Sequence, residues 1–314
     1  MTYKMTSVSI IYINEDMINQ RIDNFLQKKF KNVPKSMIYR IIRIGKIRIN
    51  KKRIKPQYKL KIGDRIRIPP IKVIDKKEKK FFISEHQKII LHNVLYEDKD
   101  LLIINKPSGI AVHGGSGIKL GIIEYFRKCR PLEKTLELVH RLDRDTSGVL
   151  VLAKNRTSLI SLHKQIREKK IQKKYIALVH GSWPIHLKKI SEPILKTYSK
   201  NKQKKMLIHQ DGKASETYFE IKKKYSCTTL MSIKPKTGRT HQIRIHTLYA
   251  GYPILFDKIY GKNSLDKNIK NKIKINRLLL HASSINFTHP KNGKKIYITA
   301  PLDIDFKNYL INLI

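Results

Sequence analysis

The sequence predicts an α+β fold in two parts: a small basic unit of two helices and short strands, then a larger, mixed but mainly antiparallel sheet. Three observations carry that prediction. Up to Gly45 the apolar residues recur at helical spacing, and from Lys46 the period drops to two. Beyond Val94, short apolar runs set off by turn signals outnumber clear helices. Those runs do not alternate with helices as repeated βαβ units would, which favours an antiparallel arrangement. At 314 residues the chain has room for one large domain and one small one.

Residues 1–20 hold a short apolar patch cut by acids, with no small-residue cleavage site after it. They read as an N-terminal extension rather than a signal peptide. In RIDNFLQKKF (21–30), Ile22, Phe25, Leu26 and Phe30 share one helical face. Ser36 is the expected N-cap of a second helix, MIYRIIRI, that stops at Gly45. Its Ile38, Ile41 and Ile42 point inward and leave Lys35, Arg40, Arg43 and Lys46 outside. KIRIN (46–50) and RIRIP (65–69) alternate as strands, with turns at KKRIKP and at Gly63-Asp64. The unit therefore spans 21–69. Residues 70–92 mix prolines, charges and scattered apolars and read as a linker. In the remainder, 93–314, the expected strands are LLIIN (101–105), VLVLA (149–153), YIALVHG (175–181), TTLMSIKP (228–235) and KIYITAP (295–301). ISLHKQIREKK (160–170) is the best helix there, with Ile160, Leu162 and Ile166 on one side.

Sixty-seven Lys and Arg against 24 Asp and Glu give a formal net charge of +43. Such a field attracts polyanions, and nucleic acid is the first candidate. The chain is also heavy in Lys, Ile and Asn, as AT-rich coding produces, so part of the charge is compositional. Two cysteines, Cys129 and Cys227, make neither a disulfide framework nor a C-x-x-C zinc site. No run approaches the ~20 apolar residues of a membrane span. Cytoplasmic location is the expectation.

HRLDRDTSG (140–148) sets two acids, two arginines, a histidine, two hydroxyls and a glycine between apolar flanks. A kinase loop is excluded: its Asn is missing, and so are a glycine-rich phosphate loop and D-F-G. Ser147 lies outside any G-x-S-x-G, so HGGSG (113–117) reads as a flexible turn rather than an oxyanion loop. The histidines His113, His140, His241, His246 and His281 lack H-E-x-x-H spacing, and no metal site is expected. What survives is a carboxylate acting as nucleophile or base, held ionised by a nearby cation. Asp143 and Asp145 are the candidates, with Arg141 and Arg144 beside them. In an extended segment their two-residue spacing would aim both to one side. The bland alternative is a turn held by an Asp–Arg pair.

KPKTGRTHQIRIH (234–246) follows an apolar strand and sets Arg239, His241, Arg244 and His246 at the start of an amphipathic segment. The fork of Arg244 could hold an aspartate bidentately. Tyr175, in KKYIALVHG (173–181), heads a strand, where a tyrosine either packs or stacks on a base.

Two basic helices followed by short basic strands resemble the S4 RNA-binding module, which makes Lys35, Arg40, Arg43 and Lys46 its expected RNA contacts. HRLDRDTSG, KKYIALVHG and KTGRTHQIRIH, in that order, resemble the successive motifs of the RluA-type pseudouridine synthases. NKPSGIAVHGGSG (105–117), GYPILFDKIYG (251–261) and LLLHASSINFTHP (278–290) resemble the same family's flanking blocks. The wording around 105–117 and 140–148 is most similar to the RluC branch, which acts on large-subunit ribosomal RNA. The resemblance implies a catalytic domain over 93–314 with a central cleft holding Asp143. It implies isomerisation of uridine to pseudouridine in 23S ribosomal RNA, with no cofactor and no membrane partner. Carried over by position, Asp143 is the catalytic carboxylate, Tyr175 stacks on the target ring, and Arg244 pairs with the aspartate. Arg141 fills the hole left by the extruded base, and His140 and Arg239 are further RNA contacts. Asp145, Arg144 and Ser147 are expected to support the loop. Phe256 stands where the family more often has glycine. The expected partner is ribosomal RNA or an assembling ribosomal particle, met by a monomer.

Two rival readings stay open. One is a non-catalytic RNA-binding or ribosome-assembly protein on an enzyme-like fold, although it would be free to lose Asp143, Tyr175 or Arg244. The other is the same enzyme class acting on transfer RNA.

Overall fold

The computed structural model describes residues 3–30, 33–74, 93–115, 120–131, 133, 135–198, 204–261, 264–266, 275 and 277–313. Two compact units divide the chain: Met1–Ile83 with Asn155–Thr157, and Ser84–Lys154 with Ser158–Ile314. Among the described residues no helix is long and apolar enough to cross a membrane.

The small unit runs β1 (Tyr3–Met5), β2 (Ser9–Tyr12), α1 (Ile22–Lys29), α2 (Lys35–Arg43), β3 (Arg48–Ile49), β4 (Lys52–Arg53), β5 (Arg65–Ile68) and β6 (Lys72–Ile74). Ile22, Phe25 and Leu26 of α1 pack with Ile38, Ile41 and Ile42 of α2 against Ile49, Ile66 and Ile68, as the apolar spacing dictates. Gly45 closes α2 at φ +74, the left-handed conformation that glycine adopts freely. Helix α2 opens two residues earlier than expected. Its N-cap is Pro34, and Ser36 lies inside the helix. Pro34 itself is extended, at φ −56 and ψ 142, and its carbonyl accepts from the N–H groups of Met37 and Ile38 to begin the helix.

Residues 1–20 are more than an extension. β2 pairs with β5 in a four-stranded sheet, and Ile13 joins the core. The expected linker likewise begins inside the unit: Ile71 is buried and β6 pairs with β1. The rest of that segment, 75–92, lies outside the described residues.

The larger unit comprises β7 (Val94–Glu97), β8 (Leu101–Lys106), α3 (Ile122–Cys129), β9 (Glu137–Leu138), β10 (Ser147–Ala153), α4 (Arg156–Arg167), β11 (Gln172–His180), β12 (Lys189–Ile190), β13 (Ile194–Tyr198), β14 (Lys204–Ile208), β15 (Thr217–Lys224), β16 (Thr228–Pro235), α5 (Gln242–Tyr249), β17 (Leu280–Thr288), β18 (Lys295–Thr299) and α6 (Ile304–Ile311). Among the described residues ten strands form one sheet, in the order β12-β15-β16-β11-β17-β10-β8-β7, with β18 on β17 and β9 on β10. Every pairing is antiparallel except β10 with β17.

The continuous apolar runs of β8 and β10 have a direct cause: both of their faces are covered. Leu102, Ile104, Leu150 and Leu152 pack against Ile122, Ile123 and Phe126 of α3. Leu101, Ile103, Val149 and Val151 face the other way, onto Leu159 and Leu162 of α4. The inward stripe of α4 is therefore Leu159, Leu162 and Ile166, at i, i+3 and i+7, and Ile160 points elsewhere.

One row of this sheet sets up the site. Gly148 pairs with Ala282, and Ala282 pairs with Tyr175 across a β-bulge at Lys174/Tyr175. Gly148 has φ +109, and a Cβ there would run into the carbonyl oxygen of Ala282. Only glycine lets β10 approach β17 so closely. The row thus links the end of HRLDRDTSG to Tyr175 two strands away.

Candidate active site

The loop before β10 is clamped from beneath. Lys106, fully buried at the end of β8, donates to the carbonyl oxygens of Pro107 (2.8 Å), Ile110 (2.7 Å) and Arg144 (2.8 Å). Burial pulls its pKa down to about 7, although the charges of Asp145 and Asp143 oppose that shift. Ser108 Oγ donates to the carbonyl of Asp145, and Ser147 Oγ meets His281 Nδ1 at 2.8 Å and Arg277 Nη2 at 3.1 Å. The carbonyl of Asp143 accepts from the Thr146 N–H, closing a turn.

That turn separates the two acids, contrary to the extended geometry expected of them. Asp143 lines a cavity of about 610 Å3. Asp145 pairs with Arg144 at 3.2 Å and lines a different cavity with Arg277. Arg141, His140, Tyr175, Arg239 and Arg244, gathered from distant stretches, share the first cavity with Asp143. Lys35, Arg40, Arg43 and Lys46 belong to the small unit, where all four are exposed.

Arg244 sits on α5, whose residues 242–247 are all buried rather than amphipathic. His241 precedes the helix in the left-handed region, at φ 55. Gln242 ties down the approach. Its Oε1 accepts from Thr237 Oγ1 (2.8 Å) and the Arg239 N–H (2.9 Å). Its Nε2 donates to the Glu216 carbonyl and to Thr217 Oγ1.

The bidentate partner of Arg244 is Asp257, not Asp143. Nε and Nη2 donate to Asp257 Oδ2 at 2.7 Å and Oδ1 at 2.6 Å. Asp257 Oδ1 also accepts from the backbone N–H groups of Ile259 and Tyr260. Nη1 lies 3.6 Å from Asp143 Oδ2. The Tyr260 ring lies 5.0 Å from the guanidinium carbon, and its hydroxyl meets His241 Nδ1 at 2.7 Å. His241 Nε2 in turn stands 3.9 Å from Asp143 Oδ1. Asp143 is thereby faced by a guanidinium on one oxygen and an imidazole on the other. Burial works against the charge of Arg244, but the hydrogen bond and charge of Asp257 outweigh it and raise its pKa.

Burial, followed by the charge of Asp143, pushes the Tyr175 phenol well up, so it keeps its proton at neutral pH. Burial, followed by the charge of Lys173, holds His140 well down. His140 Nε2 accepts from the Val151 N–H at 3.3 Å, which spends one ring nitrogen on the β10 backbone. Arg141 and Arg239 are exposed, and Arg239 Nε donates to the Ala214 carbonyl.

Among the described residues, one cluster has metal-like spacing: Asp98, Asp100 and His289. None of the three lines the Asp143 cavity. Asp98 is already engaged by Tyr96 Oη, His289 Nε2 and the N–H groups of Asp100 and Leu101, so it braces the β7–β8 turn.

Residues 100–249 match the RNA pseudouridylate synthase family, and residues 20–66 match the S4 domain. The chain is 76% identical, over the full length of both proteins, to the ribosomal large subunit pseudouridine synthase C of Buchnera aphidicola subsp. Schizaphis graminum. The chain belongs to the pseudouridine synthase family. The ribosomal large subunit pseudouridine synthase C of Escherichia coli K12 is 51% identical over 98% of this chain and 97% of its own. Human RNA Pseudouridylate Synthase Domain Containing 4 shares the fold, with a TM-score of 0.59 at 23% identity, covering 72% of this chain and 94% of the human one. This pseudouridine synthase is accordingly an isomerase with an S4 domain ahead of its mixed sheet.

Several supports of the Asp143 cavity were not foreseen from the sequence. Asp257 sits in ILFDKIYG, and an acid between apolar neighbours was the signal for a buried partner. Lys106 ends the apolar run LLIIN, the same signal with opposite charge. Gln242 and Tyr260 gave none, because their partners are far along the chain.

Proposed function

We propose that this pseudouridine synthase isomerises uridine in large-subunit (23S) ribosomal RNA, with Asp143 as its catalytic carboxylate. The observation that carries the assignment is the convergence of Arg244 Nη1 and His241 Nε2 on Asp143, while Asp145 is turned into another cavity. The reaction breaks the N1–C1′ bond, turns the ring, and rejoins it through C5, whose proton leaves. Asp143 serves either by attacking carbon or by removing a ribose proton, and in both roles it must be ionised. Arg244 Nη1 at 3.6 Å and His241 Nε2 at 3.9 Å flank its two oxygens.

A uridine in folded RNA must first leave its stack, at a cost of about a few kcal/mol. Exposed Arg141, at the mouth of the cavity, is suited to replace the lost base, and the Tyr175 ring to receive it. Lys35, Arg40, Arg43 and Lys46 of the S4 domain supply phosphate contacts. His140 and Arg239 add contacts at the cavity wall. The choice of ribosomal RNA rests on the names of the full-length relatives. With it go a cytoplasmic location and a monomer meeting the RNA or an assembling particle. To test the substrate, unmodified large-subunit ribosomal RNA and transfer RNA are incubated with the enzyme and pseudouridines mapped by carbodiimide and primer extension. New stops in ribosomal RNA alone are expected. Stops in transfer RNA alone would replace the substrate, and none in either would favour a binding protein.

A further inference from the structure

Lys173 lies two residues before Tyr175 on β11. Both line the cavity that holds Asp143. Lys173 is only partly exposed, and among the described residues no carboxylate pairs with it. Burial alone pulls its pKa down to about 8, with no nearby acid to offset the effect. A cation kept in such a place without a partner is arranged for an anion that arrives from outside.

Its position within the cavity narrows the choice of anion. The charge of Lys173 is felt at His140, whose pKa it lowers after burial, and both side chains line the same cavity. Lys173 belongs to the wall of the cavity that runs from Arg167 through Ile171 to Tyr175, where α4 hands over to β11. Exposed Arg167 and Lys169, at the end of α4 and just beyond, line the same cavity and continue the positive track outward. The fixed anion that RNA offers beside a flipped base is its phosphodiester. We propose that Lys173 anchors the phosphodiester flanking the flipped uridine, so that the nucleotide is held by its backbone at one end of the cleft and by its ring at Asp143 and Tyr175. This rests on the reading of the cavity as a uridine site.

The test uses an RNA fragment that wild type converts, with a single neutral methylphosphonate placed on either side of the target uridine. Binding and single-turnover rates are measured for wild type, Lys173→Met and Lys173→Arg, with thermal melts as the folding control. At one flanking position, neutralisation should weaken wild-type binding about tenfold and leave Lys173→Met unchanged. Lys173→Arg should behave as wild type, and Lys173→Met should lower the salt slope of binding by about 1 while preserving the rate at saturation. Equal sensitivity of wild type and Lys173→Met to both neutral linkages would overturn the assignment. So would a loss confined to the saturated rate, which would move Lys173 to the reacting ring. If wild type converts no uridine at all, the uridine reading itself fails first.

Discussion

Arg244 gives two guanidinium nitrogens to Asp257 and turns the third towards Asp143, 3.6 Å away. The fork that fits an aspartate is thus spent on Asp257, which does not line the Asp143 cavity. Its effect is to fix the direction of the remaining nitrogen, so that Asp143 meets a cation whose rotamer is already decided.

Asp257→Asn should expose that dependence. It leaves Arg244 buried with a neutral partner, which should lower stability by about 3 kcal/mol in urea unfolding and slow single-turnover rates at least tenfold. RNA affinity should hold. A folded Asp257→Asn enzyme with the wild-type rate would show that Arg244 needs no such brace. Arg244→Leu should abolish turnover with RNA binding intact. Because it strands Asp257, it is best measured together with Arg244→Leu/Asp257→Leu, which keeps the space filled without a lone charge.

Lys106 holds three carbonyls, and Lys106→Met leaves all of them without a donor. A loss of about 3 kcal/mol is expected, with a slower rate because the Asp143 turn loosens. The pH dependence has a definite sign. With a folded pKa of about 7 against ~10.4 unfolded, the unfolded chain holds more protons between those values. Wild type should therefore gain stability relative to Lys106→Met as pH rises from 7 towards 10, and lose that gain on returning to 7. Parallel stability curves for the two proteins would contradict this.

Phe256 is buried in the left-handed region at φ 59, the reason glycine is natural there. Its ring packs edge-on against Tyr309 at 5.7 Å. Phe256→Gly should relieve about 1 kcal/mol of backbone strain but forfeit about 3 kcal/mol of packing. The net result is a lower melting temperature with the rate per folded molecule retained. A higher melting temperature would mean the strain outweighs the ring.

Arg40→Ala/Arg43→Ala removes two exposed cations of α2 without touching its buried face. Binding to ribosomal RNA should weaken and its salt slope fall by about 2, with the melting temperature and saturated rate unchanged. An unaltered salt slope would take α2 off the RNA.

What was legible in the sequence was periodic or local. Ile22, Phe25 and Leu26, or the apolar run of β10, announce themselves through spacing, and Asp143 stood out as a charge between apolar flanks. Pairings across the chain were not legible. Arg244 advertised a bidentate bond, yet nothing local chose between Asp143 and Asp257, 13 residues further on. The strand from residues 9–12 was hidden for a similar reason: its partner, β5, lies beyond both helices. The two-residue spacing of Asp143 and Asp145 misled because the Asp143–Thr146 hydrogen bond turns the chain between them.

The most direct test of Asp143 as the catalytic carboxylate is tritium release from C5-labelled uridine in large-subunit ribosomal RNA, comparing wild type with Asp143→Asn. C5 must give up its hydrogen to become the new attachment point, so each release counts one turnover. Release by wild type and none by Asp143→Asn, with both binding the RNA equally, is the expected result. Release by Asp143→Asn at the wild-type rate would contradict it.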